Sequence, residues 1–231
     1  RDEHTSRGIG DVYKRQEIYF TQQGEGANTG KDFVFIRFSG CNLWSGKESN
    51  RASAICKFCD TDFYGTDGVN GGVYQADKLI EKVKSLWLSK EQKISVVLTG
   101  GEPLLQADQN LIDTLKSNNI FIAIETNGTL LPPQGIDWIC MSPKANTDIK
   151  LRRGNELKIV FPQEDIDPLD FSHYEYDYFF IQPMDSKNLD QNINQSVSFC
   201  RKHPSWELSL QTHKILGTVS YTHLTLPTRL P

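Results

Sequence analysis

Apolar and polar positions alternate over residues 33–38, with Val34, Ile36 and Phe38 on one face and Arg37 on the other, the two-residue period of a strand. Three stretches carry instead the 3.6-residue period of an amphipathic helix. The first holds Leu79, Ile80, Val83, Leu86 and Trp87, the second Leu111, Ile112 and Leu115, and the third Ile193, Val197 and Cys200. Short apolar or alternating runs near Ile94, Ile120, Trp138, Glu156, Tyr178 and Trp206 predict further strands. Helices set between strands in this way predict an α/β chain whose functional groups collect at the C-terminal ends of the strands. No internal repeat or low-complexity segment divides the chain, so one domain is expected.

The two ends break the pattern. Asp11, Val12, Tyr13, Lys14, Arg15 and Gln16 can be encoded by a DNA word whose reverse complement, in a shifted frame, encodes Val219, Ser220, Tyr221, Thr222, His223 and Leu224. Unrelated peptides should not be antisense copies, and the word resembles a transposon end used in sequencing libraries. Residues 1–16 and 219–231 are therefore expected to be translated adaptor outside the fold, leaving residues 17–218 as the domain. The net charge is −4 for the whole chain, and the core remains acidic without the ends, which argues against a nucleic-acid platform. Hydrophobic residues make up 38% of the chain. No apolar run approaches the roughly 20 residues of a membrane span, and no secretory h-region is present. A cytoplasmic protein without a membrane partner is expected. Five cysteines, an odd number, then point to reduced thiols and metal ligation rather than disulfides.

Cys41, Cys56 and Cys59 lie close enough in sequence to share one metal centre while leaving it a ligand short. Iron-sulfur clusters are normally held by four thiolates, so three in one loop fit a 4Fe-4S cluster with one iron open to a small molecule. The spacing also admits a zinc site of three Cys and one His or a redox dithiol, although no His lies near the triplet in sequence. Thr99, Gly100, Gly101, Glu102 and Pro103 follow the apolar run of residues 94–98, as a strand would that ends in a glycine-permitted turn. Cys140 and Cys200 have apolar neighbours and are expected to be buried fillers.

Phe58, immediately before the last thiol of the triplet, resembles the aromatic position in the cluster loop of radical S-adenosylmethionine enzymes. Most of that superfamily have a shorter first gap between cysteines. The longer gap here is similar to the insert of the 7-carboxy-7-deazaguanine synthase family. Gln22, Gln23, Gly24, Glu25 and Gly26 resemble landmarks of that family, as do Ile124, Glu125, Thr126, Asn127 and Gly128. So do Ser142, Pro143 and Lys144, then Gln182, Pro183, Met184 and Asp185, and finally Gln211, Thr212, His213 and Lys214. They stand in the family's order, and the resemblance covers roughly residues 17–218.

The resemblance implies an incomplete, modified (β/α) barrel with fewer helices than a full eightfold one. It implies that Cys41, Cys56 and Cys59 hold a 4Fe-4S cluster whose fourth iron chelates S-adenosylmethionine. Cofactor contacts are implied for Phe58, Cys59, Asp60, Gly100, Gly101, Glu102, Glu125, Asn127, Ser142, Pro143, Lys144, Gln182, Pro183, Met184 and Asp185. The implied reaction is radical ring contraction of 6-carboxy-5,6,7,8-tetrahydropterin to 7-carboxy-7-deazaguanine with loss of ammonia. Its substrate contacts would be Gln22, Gln23, Gly24, Arg37, Thr99 and His213, with Glu25, Arg37 and His213 catalytic. Arg37 suits bidentate binding of a carboxylate. Thr61, by the same resemblance, would offer its hydroxyl to Mg2+, a cation that prefers oxygen ligands. An electron donor such as flavodoxin or ferredoxin and a homodimer are implied as well. A radical activase or other radical enzyme on a different substrate is the competing reading, and a non-enzymatic zinc or electron-transfer module is a third.

Overall fold

In the computed structural model, which describes residues 12–217, nine strands form one sheet. The elements run β1 (Val12–Gln22), β2 (Asp32–Phe38), β3 (Gly72–Gln75), α1 (Ala76–Leu86), β4 (Ser95–Gly100), α2 (Gln109–Ser117) and β5 (Phe121–Thr126). They continue with β6 (Trp138–Met141), β7 (Arg153–Phe161), β8 (Glu175–Pro183), α3 (Leu189–Lys202), β9 (Glu207–Leu208) and α4 (Thr212–Leu216). The strand order is β3-β1-β2-β4-β5-β6-β7-β8-β9. β1 is antiparallel to both its neighbours, and every pairing from β2 through β9 is parallel. This is the expected incomplete barrel: β3 and β9 are its two edges, and β5, β6 and β7 follow one another without an intervening helix.

The outer face is sealed by the predicted helices. Leu79, Ile80 and Val83 of α1 and Leu111, Ile112 and Leu115 of α2 pack on Ile18, Val34, Ile36, Val96, Leu98, Ile122 and Ile124. The Asp108 carboxylate caps α2 by accepting from Leu111 N at 2.9 Å, satisfying a backbone donor that the first turn leaves unpaired. Phe199 and Cys200 of α3 pack on a second cluster containing Leu157, Ile159, Ile181 and Trp206.

Strand alternation builds the inner face in layers. Register aligns Tyr19, Phe35, Val97, Ala123 and Trp138 across five strands, an apolar floor. One layer nearer the strands' C-terminal ends, Glu17 aligns with Arg37 and Arg37 with Thr99, while Glu125 aligns with Cys140 and Cys140 with Glu156. A two-residue step along each strand therefore converts a dry floor into a polar wall.

Two placements bear on the sequence reading. Residues 1–11 and 219–231, assigned to adaptor, lie outside the described residues, but residues 12–16 do not: Val12, Tyr13, Lys14 and Arg15 pair with β3 as the first half of β1. The segment fits poorly, since Arg15 is fully buried with Nε and Nη2 lacking hydrogen-bond partners, and Gln16 Oε1 lacks one too. Second, the last family landmark, residues 211–214, enters the short helix α4. Its first backbone donor is taken by the Gly24 carbonyl, with Thr212 N at 2.9 Å, and Gly217 ends it in the left-handed region at φ 65°.

Candidate active site

The C-terminal ends of the parallel strands surround a cavity of about 250 Å³. Cys41, Cys56 and Cys59 stand on one side of it, with Phe58, Asp60 and Thr61 beside them. Their loop is held mostly by main chain. Gly101 N donates to Phe38 O at 3.1 Å and Glu102 N to Gly40 O at 2.9 Å, so the glycine turn after β4 is zipped to the residues preceding Cys41. A Cβ at Gly101 would overlap the Gly40 carbonyl, which is why the close approach demands glycine there. Asn127 Nδ2 donates to Asn42 Oδ1 at 2.9 Å and ties the loop to the end of β5. Within the insert between the first two cysteines, Arg51 Nη1 donates to the carbonyls of Lys57 at 3.0 Å and Cys59 at 3.1 Å, with its guanidinium 4.0 Å from the Trp44 ring.

Burial pushes the Cys41 thiol up and the Cys59 thiol up to about 11. Lys144, whose own pKa is lowered by burial first, lies near them and donates to Ser142 O at 2.7 Å and Ser142 Oγ at 2.8 Å. Among the described residues no group of three His, Cys, Asp or Glu side chains converges closely enough for a single metal ion. Three thiols lining one side of a cavity, backed by a glycine cradle, fit a cluster whose thiolates sit on separate irons better than a tetrahedral zinc site.

The opposite side is built from paired charges. Arg37 donates from Nε to Glu17 Oε1 at 2.6 Å and from Nη2 to the Tyr19 hydroxyl at 2.9 Å. Glu125 accepts from Gln23 Nε2 and from Thr99 Oγ1, each at 2.9 Å. Glu25 accepts from Lys158 Nζ at 2.6 Å and from Gln211 Nε2 at 2.9 Å. Burial alone would raise the Glu25 carboxyl, but Lys158, then Gln211 and His213, hold it down to about 2. His213 is half-buried against Gly24, where a Cβ would overlap its Nδ1, and burial lowers its pKa. Above them, Lys214 donates to Asp60 at 2.7 Å and to Asp185 at 2.5 Å, bridging α4, the cysteine loop and the end of β8.

Most of the residues singled out in the sequence therefore face one cavity. Gln22, Gln23, Gly24, Glu25, Arg37, Thr99 and His213 line it, as do Gly100, Gly101, Glu125, Asn127, Ser142, Lys144, Gln182, Pro183, Met184 and Asp185. Four placements add to what the sequence carried. Glu102 is fully buried behind the wall, its carboxylate accepting from Leu104 N at 3.0 Å, Thr126 Oγ1 at 2.8 Å and Asn127 N at 2.8 Å, so it braces the turn rather than facing the cavity. Pro143 also stands outside the lining. Cys140, expected to be a buried filler, is buried and also touches the cavity wall, with Sγ 3.4 Å from Glu156 Oε1. Glu125, grouped with the cofactor contacts, accepts from Gln23 and Thr99 of the substrate group. Lys158, Glu156, Gln211 and Glu17 are absent from the sequence-derived set. For the first two a signal existed, a Glu and a Lys two residues apart in the largely apolar second half of β7, which alternation sends to one face.

Comparison with known proteins agrees with this architecture. The radical SAM superfamily model matches residues 49–156, a span holding Cys56, Cys59, the glycine turn and Glu125. QueE from Escherichia coli superposes with a TM-score of 0.67 at 25% sequence identity, covering 87% of this chain and 94% of that one. The 7-carboxy-7-deazaguanine synthase of Burkholderia multivorans is 51% identical over 207 residues, 89% of this chain and 99% of that protein. The enzyme of the same name from Bordetella pertussis is 50% identical over the same shares. The chain belongs to the 7-carboxy-7-deazaguanine synthase family. It is a radical S-adenosylmethionine enzyme, with the synthase activity that gives the family its name and a place in queuosine biosynthesis. The superfamily implies a 4Fe-4S cluster and S-adenosylmethionine. No helix among the described residues is long and apolar enough to cross a membrane.

Proposed function

We propose that the cavity performs the ring contraction of 6-carboxy-5,6,7,8-tetrahydropterin to 7-carboxy-7-deazaguanine with loss of ammonia, divided between the two sides described above. Cys41, Cys56 and Cys59 would hold the cluster, with Gly100, Gly101, Asn127, Ser142 and the 182–185 segment around S-adenosylmethionine. When bound, this pair supplies a 5'-deoxyadenosyl radical that abstracts hydrogen from the substrate. The chain's own task is to keep water out and to hold one substrate hydrogen within reach. The apolar floor of Tyr19, Phe35, Val97, Ala123 and Trp138 supports the first requirement.

Arg37 would take the substrate carboxylate, and the observation that carries this reading is its fixed guanidinium on the wall of the cavity that also holds the cysteines. Glu125, Gln23 and Glu25 supply acceptors and an amide for the amino-pyrimidine edge, and His213 closes the site from α4. Thr61, lining the cavity beside Cys59, would offer its hydroxyl to Mg2+ shared with the substrate. A flavodoxin or ferredoxin donor, a homodimer and a cytoplasmic setting belong to the same reading and rest on the resemblance, with five free cysteines consistent with a reducing compartment.

Anaerobic turnover of the carboxytetrahydropterin, read by product mass, tests the reaction. Arg37→Ala should raise the pterin KM while S-adenosylmethionine still binds; unchanged pterin kinetics would remove Arg37 from the site. Omission of Mg2+ should slow turnover more than it weakens cofactor binding, and Thr61→Ala should blunt that response. Equal turnover in chelator and in Mg2+ would remove the ion.

A further inference from the structure

β7 carries a buried lysine that no motif announces. Lys158 is 6% exposed at its side chain, and its ammonium lies 2.6 Å from Glu25 Oε2, which it meets across 133 residues of sequence. It is the cation bonded to Glu25 on a wall rich in acids, with Lys144, which lines the same cavity, turned to Ser142 instead. Glu156 comes from the same strand, Cys140 from β6, Glu125 from β5 and Glu25 from the loop after β1. The guanidinium of Arg37, on the same cavity, bonds through Nε to Glu17 rather than to Glu25. Glu156 is occupied elsewhere, accepting from Ala27 N at 3.3 Å and lying 3.4 Å from Cys140 Sγ. With Gln211 on Glu25 Oε1, the two contacts fix the plane of that carboxylate on the cavity wall.

We propose that Lys158 is a positioning residue of the pterin site: its ammonium orients Glu25 and keeps it an ionised acceptor for the N–H groups of the substrate's amino-pyrimidine edge. The inference rests on the assignment of Glu25 as a substrate contact. A carboxylate buried in this position without a cation would take up a proton, and its OH would then oppose the donors of the pterin edge. Arginine could keep the charge, whereas a neutral side chain of similar volume could not.

The experiment uses the anaerobically reconstituted enzyme with Lys158→Met, Lys158→Arg, Glu25→Gln and the Glu25→Gln/Lys158→Met pair. Iron content and S-adenosylmethionine affinity report integrity of the other wall. Lys158→Met should raise the pterin KM by about 10- to 100-fold, the worth of a charged hydrogen bond. It should also add an acid limb to kcat/KM, falling as pH falls, because Glu25 loses the partner that holds it low. Lys158→Arg should recover most of both effects. The double variant should match Glu25→Gln alone and lack the limb, which separates it from titration of His213, Glu125, Glu156, Asp60 or Cys140. That pair also serves if Lys158→Met does not fold, since it leaves no orphan charge. A wild-type KM and pH profile in Lys158→Met, or a double variant about tenfold worse than Glu25→Gln, overturns the proposal. A wild-type KM in Glu25→Gln overturns it too, at the level of the Glu25 assignment rather than of the ion pair.

Discussion

The cysteine side and the β7–α4 side of the cavity are made in different ways. The first is held by main chain: Gly101 and Glu102 amides on the carbonyls of Phe38 and Gly40, and Glu102 accepting from the amides of Leu104 and Asn127. The second is held by side-chain charges, Lys158 of β7 on Glu25, with Gln211 at the start of α4 on the same carboxylate. Backbone bonds fix geometry without adding net charge, which suits a site awaiting an already charged group. Buried ion pairs cost desolvation and are retained where their charges or positions serve a purpose. The comparison assigns scaffolding to one wall and recognition to the other.

The largest effect should come from the cysteine side. Cys41→Ala, Cys56→Ala or Cys59→Ala should each abolish cluster assembly, because two thiolates do not hold a cube against solvent. Cys200→Ala, at a residue of α3 packed on the second core cluster, should retain about four irons per chain. Cys140→Ala should do so too, despite facing the cavity. Iron and sulfide analysis distinguishes these, and a stoichiometric zinc site without iron uptake would break the assignment of the first wall.

Next is the glycine cradle. Gly101→Ala places a methyl against the Gly40 carbonyl, and main chain on both sides leaves little room to yield. Overpacking of this kind costs about 1–3 kcal/mol. The loss should appear as a lower Tm together with weaker S-adenosylmethionine binding, whereas alanine at Gly30, where a Cβ would meet nothing within 4 Å, tests only its positive φ of 85° and should spare the cofactor. Wild-type cofactor affinity in Gly101→Ala would show that the zipped turn is not part of the cradle.

Acid titration sharpens the contrast through two glutamates of opposite sign. Burial pushes the Glu102 carboxyl up, against the amide bonds of Asn127 and Leu104. Burial opposes ionisation at Glu25 as well, yet Lys158 wins and the carboxyl is held at about 2. Glu25 therefore adds stability that is present above the ordinary carboxylate range and is lost as pH falls from about 4.5 towards 2. Glu102 has the reverse sign, binding its proton more tightly folded than unfolded, so stability falls as pH rises through its titration. Denaturant unfolding against pH should show a shallower acid loss in Glu25→Gln and a steeper one in Glu102→Gln. Parallel curves for the two variants would erase the distinction between the walls.

How far each wall was legible follows from its construction. The cysteine loop, the glycine turn and the strands that carry them are local in sequence, and alternation in residues 33–38 already places Arg37 opposite Val34, Ile36 and Phe38. The charged wall is assembled from partners far apart: Glu25 meets Lys158 across 133 residues and Gln211 across 186. No local period reports such a pairing. Glu102 illustrates the converse, since its motif was visible but the destination of its carboxylate was decided by Leu104, Thr126 and Asn127 around it. The four residues 211–214 carry no apolar period of either kind, so their helix depends on the Gly24 carbonyl and on Gly217 rather than on pattern.

The smallest effect is expected where the two walls meet. Lys214 reaches Asp60 beside the cysteines and Asp185 at the end of β8, and it is the residue after His213. All three side chains are partly exposed, so solvent screens the pairs, and such bridges contribute about 1 kcal/mol or less. Lys214→Met should therefore leave Tm and iron content nearly unchanged. Its bearing on α4 is a different matter, because the helix has five residues, no side-chain cap and two outward apolar residues, Ile215 and Leu216, so little else holds it down. Loosening it should raise the pterin KM by a few-fold through His213 while sparing S-adenosylmethionine affinity, and raised salt should produce the same shift in the parent chain but not in the variant. A salt response that persists in Lys214→Met would mean that charge elsewhere, not this bridge, joins the recognition wall to the scaffold.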